Sequence, residues 1–297
     1  MTKNLITVII GMILLGGCQK VDLSEYLPEK ESGYAVTFKL SDYSITDFDD
    51  SKKTVVESKG TRKAMRPARE LGSVINIAVF KDGVKIKTMN QKSTDSSFGT
   101  VKMLLPEGSY RIVALIHSCT GNATITSAEK ISFPNNKLTD TFSCSKNITV
   151  SGNADIDLVL NRCVAKFRMT ITDNIPSDVA ALQFYYTGGS STLNAVSGFG
   201  SVKSRQTEKR EVKNHSDGQT FEVYTFPHAQ EGVLDMTVTA LDAMGGAYAV
   251  KTLAKVPVEM QKVTNCRIPF FGNNATSHDA SFSISGDDAW KGEIEYQ

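Results

Sequence analysis

Short runs of alternating apolar and polar residues, each ended by Gly, Pro, Asp, Asn or Ser, recur along most of the chain. Residues 34–40, "YAVTFKL", set Tyr34, Val36, Phe38 and Leu40 against Ala35, Thr37 and Lys39, the period-2 pattern of a half-buried strand. Residues 74–80 and 84–90 flank Asp82 and Gly83, a strong signal for a two-residue hairpin. Residues 100–117 predict two strands hinged at 106–109, and 155–160 predict another. From 162 to 172 the pattern places Cys163, Ala165, Phe167, Met169 and Ile171 on one face, and "VAALQFYYT", "TFEVYTF", "LDMTVTAL", "YAVKTLAKVPV" and "VTNCRIPFF" continue in the same manner. No amphipathic pattern spans three helical turns. Short strands spaced near ten residues apart predict an all-β chain of two tandem β-sandwiches, over 33–160 and 161–297. Between 41 and 70 the period is lost, and a long loop with a basic end, "KGTRKAMRPARE", is expected there.

The first residues follow a different pattern. Lys3 gives a positive start, 5–15 form an almost unbroken apolar run, and Gly16 and Gly17 lead into Cys18. An apolar run of about eleven residues is short of the roughly twenty that span a bilayer, so 1–17 read as a cleaved signal peptide. Small residues followed by a thiol form a lipobox, in which Cys18 takes a diacylglyceryl group and becomes the acylated first residue. Several acyl chains hold a protein firmly to a membrane. Gln19 in place of aspartate favours the outer membrane, and the polar stretch 18–32 reads as a tether.

Charge narrows the partners. The chain carries 33 basic and 32 acidic residues, and Lys3 is the one charge lost with the signal, so the mature balance is neutral. Neutrality disfavours a nucleic-acid partner, whose usual footprint is a basic face. Cys119, Cys144, Cys163 and Cys266 lie in a compartment where disulfides persist; four thiols allow three pairings, and buried free cysteines are an equal expectation.

Catalytic chemistry needs convergent groups, and the motifs for it are missing. His117, His215, His228 and His278 are scattered outside any metal-ligand spacing, and surface or strand-end positions are expected for them. "TGGSS" and "GFGS" lack the lysine and helix of a phosphate loop and read as turns. No serine lies in G-x-S-x-G, and the cysteines lack a nearby histidine of the kind a thiol nucleophile would use. The expectation is therefore no enzyme, no cofactor and no metal. Arg62, Lys63, Arg66 and Arg69 make the basic loop end either an ordinary solvated charge run or a target for a trypsin-like protease.

The lipobox "LGGC", "INIAVFKDG", "LLPEGSYRIVA", "RCVAKFRMTI", "TFEVYTFP" and "FSISGDDAW", in this order and spacing, resemble the fimbrial subunits of Bacteroides-type (type V) pili. Within them the chain is most similar to the lipid-anchored FimB-like anchor or accessory family. The resemblance implies two transthyretin-like (Ig-like) sandwiches assembled by strand exchange, an edge of unpaired backbone being completed by a neighbour's strand. It implies that 34–40 are the strand kept in an anchor or removed in a stalk or tip subunit, with a cut after Arg62, Arg66 or Arg69. It further implies that 280–297, with Phe282, Ile284, Trp290, Ile294 and Tyr296, supply a donated strand, against the plain alternative that this end pairs with its own domain. The implied partners are a fimbrial stalk subunit and the outer membrane, at the cell surface. A surface glycan- or ligand-binding lipoprotein is the alternative from another class; Trp290 as the one tryptophan offers it few aromatic platforms.

Overall fold

The computed structural model of the chain describes residues 32–44, 64–272 and 281–285. The first elements in chain order are β1 (Tyr34–Ser44), β2 (Ala64–Pro67), a one-turn helix α1 (Ala68–Leu71), β3 (Val74–Lys81), β4 (Val84–Lys92), β5 (Thr100–Leu105) and β6 (Gly108–His117). They continue through β7 (Thr124–Ser127), β8 (Lys130–Ser132), β9 (Phe142–Val150), β10 (Ala154–Val159) and β11 (Asn161–Arg162). The rest is β12 (Ala165–Ile171), β13 (Val179–Thr187), β14 (Thr192–Leu193), β15 (Gln206–Glu211), β16 (Gln219–Thr225), β17 (Glu231–Asp242), β18 (Ala247–Glu259), β19 (Val263–Ile268) and β20 (Ser281–Ser285). The fold is all-β, and no described helix is long or apolar enough to cross a membrane.

Two sheets build the first sandwich. In one, β1 lies between β10, to which it is parallel, and β5 and β2, to which it is antiparallel; the other runs β11-β9-β6-β3-β4. Their facing side chains include Val36, Phe38 and Leu40 from β1, Val101 and Met103 from β5, and Ile75, Ile77, Ile112, Ala114 and Phe142 from the opposite sheet. A second pair of sheets, β16-β12-β19-β20 and β15-β13-β17-β18, closes over Phe167, Met169, Ile171, Phe184, Tyr186, Met236, Val238 and Cys266. The Asp82-Gly83 hairpin forms as its sequence predicts: both residues have positive φ, 51° and 78°, the backbone that a two-residue turn between twisted strands requires.

A third apolar cluster joins the two halves. The outer face of β3 and β6 carries Ala78, Phe80, Val113 and Leu115, covered by Ile125, Ile131 and Phe133 from the β7–β8 segment and by Leu193, Phe226 and Val263 from the second half. The small sheet β14-β8-β7 runs across this junction. Because both faces of its sheet are covered, β6 is buried continuously from Ile112 to His117, and its sequence shows an apolar run where alternation would mark a one-sided strand.

Three departures from the sequence pattern have the same origin. The stretch 41–70 is not loop throughout: β1 runs on to Ser44, and β2 and α1 occupy 64–71. The face expected from 163 to 171 begins at Ala165, because the chain turns between β11 and β12 and buries Cys163 in the junction cluster. The polar run "QTEKRE" is strand β15, its inward groups satisfied locally: Thr225 Oγ1 donates to Gln206 Oε1 at 2.8 Å, and Arg210 Nη1 to Glu208 Oε2 at 2.9 Å.

Candidate strand-exchange site

Tertiary pairing places β1 in the interior of its sheet. Residues 36–41 pair with 154–159 of β10; on its other side, residues 34–39 pair with 105–100 of β5 and 41–44 with 67–64 of β2. Val36 and Phe38 are fully buried and Leu40 nearly so. Each such side chain contributes about 1.5–3 kcal/mol relative to exposure. Ala35 N–H donates to Asn153 Oδ1 at 2.8 Å, Leu40 N–H to Gly99 O at 2.9 Å, and Leu160 N–H to Ser41 O at 2.8 Å. Lys39 Nζ lies 2.9 Å from Asp155 Oδ2; that hydrogen bond raises the lysine and lowers the carboxyl, but both side chains are exposed, which makes the pair a minor contributor. Taking β1 away would expose unpaired ladders on β10, β5 and β2 and empty three apolar pockets, the geometry a foreign strand can fill.

Two of the three candidate cleavage arginines are held by side-chain contacts. Arg66 lies in β2, is paired with Asp42 of β1, and places its guanidinium 5.4 Å from the centre of the Phe142 ring. Arg162 contacts the same ring at 4.7 Å and forms a two-pronged pair with Asp140, Nε and Nη2 each donating at 2.7 Å. Arg69 donates to Ser93 O at 2.5 Å and Asp95 O at 2.8 Å and lies over Phe98. Arg62 and Lys63 lie outside the described residues, as do 1–31 and with them Cys18 and the lipobox. Asp42, Asp140, Phe142 and Arg162 carried no local signal, since each acquires its partner from a distant strand.

The other end of the chain differs. Asp173, after β12, accepts the N–H groups of Phe270, Phe271 and Gly272 at 2.7–2.8 Å and fixes the chain just after β19. β20 then pairs antiparallel with β19 at the border of its sheet, and Phe282 packs, partly buried, on the second core. Trp290, Ile294 and Tyr296 lie outside the described residues.

The four cysteines are free thiols spread over three cores: Cys144 against the first, Cys266 in the second, Cys119 and Cys163 in the junction. Burial pushes Cys144, Cys163 and Cys266 up to about 12 and also raises Cys119, so little thiolate is present to start disulfide exchange at neutral pH. His117 ends β6, as a strand-end position predicts, yet it is buried. Its Nδ1 accepts the Cys119 N–H at 3.1 Å, which leaves Nε2–H to donate to Asn76 Oδ1 at 2.8 Å. Burial lowers its pKa to about 4. His215 and His228 are exposed, His278 lies outside the described residues, and no group of three or more metal-ligating side chains gathers among the described residues.

Comparison with known proteins bears on the fold and the family. A protein of Bacteroides thetaiotaomicron described as polysaccharide binding (DUF1812) is similar in fold, with a TM-score of 0.52 and 10% identity over 89% of this chain and 99% of that one. The fimbrial anchor protein Mfa2 of Porphyromonas gingivalis aligns with a TM-score of 0.44 at 10% identity, over 90% of this chain and 100% of that one. The C-terminally truncated tip fimbrial protein Mfa3 of the same organism aligns at 0.41 and 10%, over 84% and 99%. No curated protein matches the sequence. Residues 80–297, from the end of β3 through the whole second sandwich, match one family model, and the chain belongs to that family, the family of unknown function DUF6562.

Proposed function

We propose that the protein is a lipid-anchored subunit of a cell-surface fimbria, a structural anchor or accessory protein rather than an enzyme. The observation that carries this reading is the placement of β1. An N-terminal strand that is interior, paired on both sides and buried through Val36, Phe38 and Leu40 fills the groove that a neighbour's strand would otherwise occupy. A subunit that keeps β1 offers no acceptor groove at that position and terminates a fibre built by strand exchange. With Cys18 acylated, the same polypeptide would hold the lipid and the plug. The resemblance of the sequence to type V pilus subunits supports the assignment.

The competing reading, a stalk or tip subunit cut after Arg62, Arg66 or Arg69, requires a protease to reach an extended, unpaired backbone. Arg66 is committed to β2 and Asp42, and Arg69 to two carbonyls and Phe98, which favours retention of β1 and leaves Arg62 as the better cut if one occurs. Intact-mass measurement of the protein from native membranes tests the choice. The expected mass corresponds to a chain that starts at an acylated Cys18 and contains 34–44; a start just after any of the three arginines assigns a polymerising subunit instead. Cys18→Ala is expected to release fimbriae into the medium, and fibres retained at the surface would contradict the anchor role.

A further inference from the structure

On the outer face of the first sandwich, beyond the junction cluster, the strand register lays out a polar groove. Phe80 of β3 is opposite Arg111 of β6, which is opposite Asn147 of β9; one row further, Ser109 is opposite Thr149. The rows form a floor of fixed spacing, since β6 is hydrogen-bonded to β3 on one side and to β9 on the other, and their opposite face packs into the first core. Arg111 Nε donates to Asn147 Oδ1 at 3.1 Å, and its Nη1 lies 3.4 Å from Glu129 Oε1. Glu129 belongs to the β7–β8 turn, which overhangs the floor. The second half of the molecule holds that turn in place: Ala195 N–H donates to Ala128 O at 2.9 Å, and Ser201 Oγ to Glu129 O at 2.8 Å. The groove encloses about 500 Å³ and is open to solvent. That volume lies within the range of about 300–1,000 Å³ typical of small-molecule sites.

We propose that this groove is a carbohydrate-binding site for a neutral sugar, one or two rings of a surface glycan. The chemistry selects the class. Guanidinium, amide and hydroxyl groups in two adjacent rows, with the Glu129 carboxylate above them, match the vicinal hydroxyls of a pyranose, which donate and accept at once. An anion is disfavoured, because Arg111 already faces Glu129, and Asp82 at the hairpin tip adds a second acidic group at the rim. A peptide strand adds at a sheet edge, whereas the groove lies over a sheet face whose central strand, β6, is paired on both sides there. The floor and overhang are held by hydrogen bonds within the chain, which lowers the ordering cost of binding. The site does not rest on the fimbrial role.

Titration of the full chain with neutral di- to tetrasaccharides of glucose, mannose, galactose and N-acetylhexosamines, with inorganic phosphate and a sulfated disaccharide as anionic comparators, tests the assignment. At least one neutral saccharide is expected to bind saturably. Arg111→Ala is expected to weaken that binding tenfold or more and Asn147→Ala by a smaller factor, while Lys209→Ala, on an outer strand of the second sandwich, leaves it unchanged. Melting curves of the variants matching the parent would separate lost contacts from lost folding, and Asn147→Ala keeps the test decisive if Arg111→Ala unfolds. Absence of saturable binding by every neutral saccharide, preference for the anionic comparators, or binding untouched by both groove substitutions would each overturn the proposal.

Discussion

The first and last described strands, β1 and β20, are similar in composition and opposite in commitment. Both carry alternating apolar residues near a chain end, and both pair with strands of their own chain. β1 has neighbours along both edges and three side chains sealed in a core. Among the described residues β20 has one paired neighbour and lies at a sheet border, and it contributes Phe282, which stays partly exposed. Apolar alternation therefore marks a strand without saying whether the fold depends on it. Dependence comes from the number of paired edges and from whether the side chains meet an opposing sheet.

That contrast can be broken experimentally, beginning where the largest effect is expected. Phe38→Ala should destabilise the first sandwich by about 3–5 kcal/mol through lost transfer energy and a cavity; a denaturant midpoint close to the parent's would show that β1 is as dispensable as β20. Acidification should weaken the sheet facing β1 next. His117 is neutral in the fold with a pKa of about 4, while an unfolded histidine titrates near its ordinary value of 6.5. The unfolded chain thus binds more protons between these values. The stability contributed is fully present above pH 6.5 and is lost as pH falls toward 4, by about 3 kcal/mol in all. Melting temperature followed across that window should decline for the parent, with a shallower decline in His117→Gln.

Smaller effects are expected at the C-terminal end. Asp173→Ala strips one carboxylate from three N–H groups and should cost about 1–3 kcal/mol. Hydrogen exchange should quicken at 270–272 while β1 amides stay protected. Phe282→Ala should cost only about 1 kcal/mol, as fits a half-buried ring. An effect on the global melt as large as that of Phe38→Ala would place β20 among the essential strands.

Much of the strand inventory was legible. The residues predicted at 34–40, 74–80, 84–90, 179–187 and 220–225 all fall in strands: one-sided burial imprints a period of two on the first and the last two, and the Asp82-Gly83 turn marks the hairpin between the others. β2, β14 and β15 were not legible, since they are short or polar and exist only because a partner strand satisfies their backbone. The pairing Arg66–Asp42, the Phe142 ring between two arginines and the groove at Arg111 were hidden for the same reason: each joins residues remote in sequence.

The sequence by itself determined an all-β chain, its turns, its nearly balanced charge and the absence of familiar catalytic motifs, because these follow from local periodicity and residue type. Only the tertiary structure decided that β1 is interior while β20 borders its sheet. It also decided that a third core joins the two sandwiches, and that Phe80, Arg111 and Asn147 stand in one row. Strand neighbours and register are long-range choices, fixed by which buried faces fit together, and no local pattern encodes them.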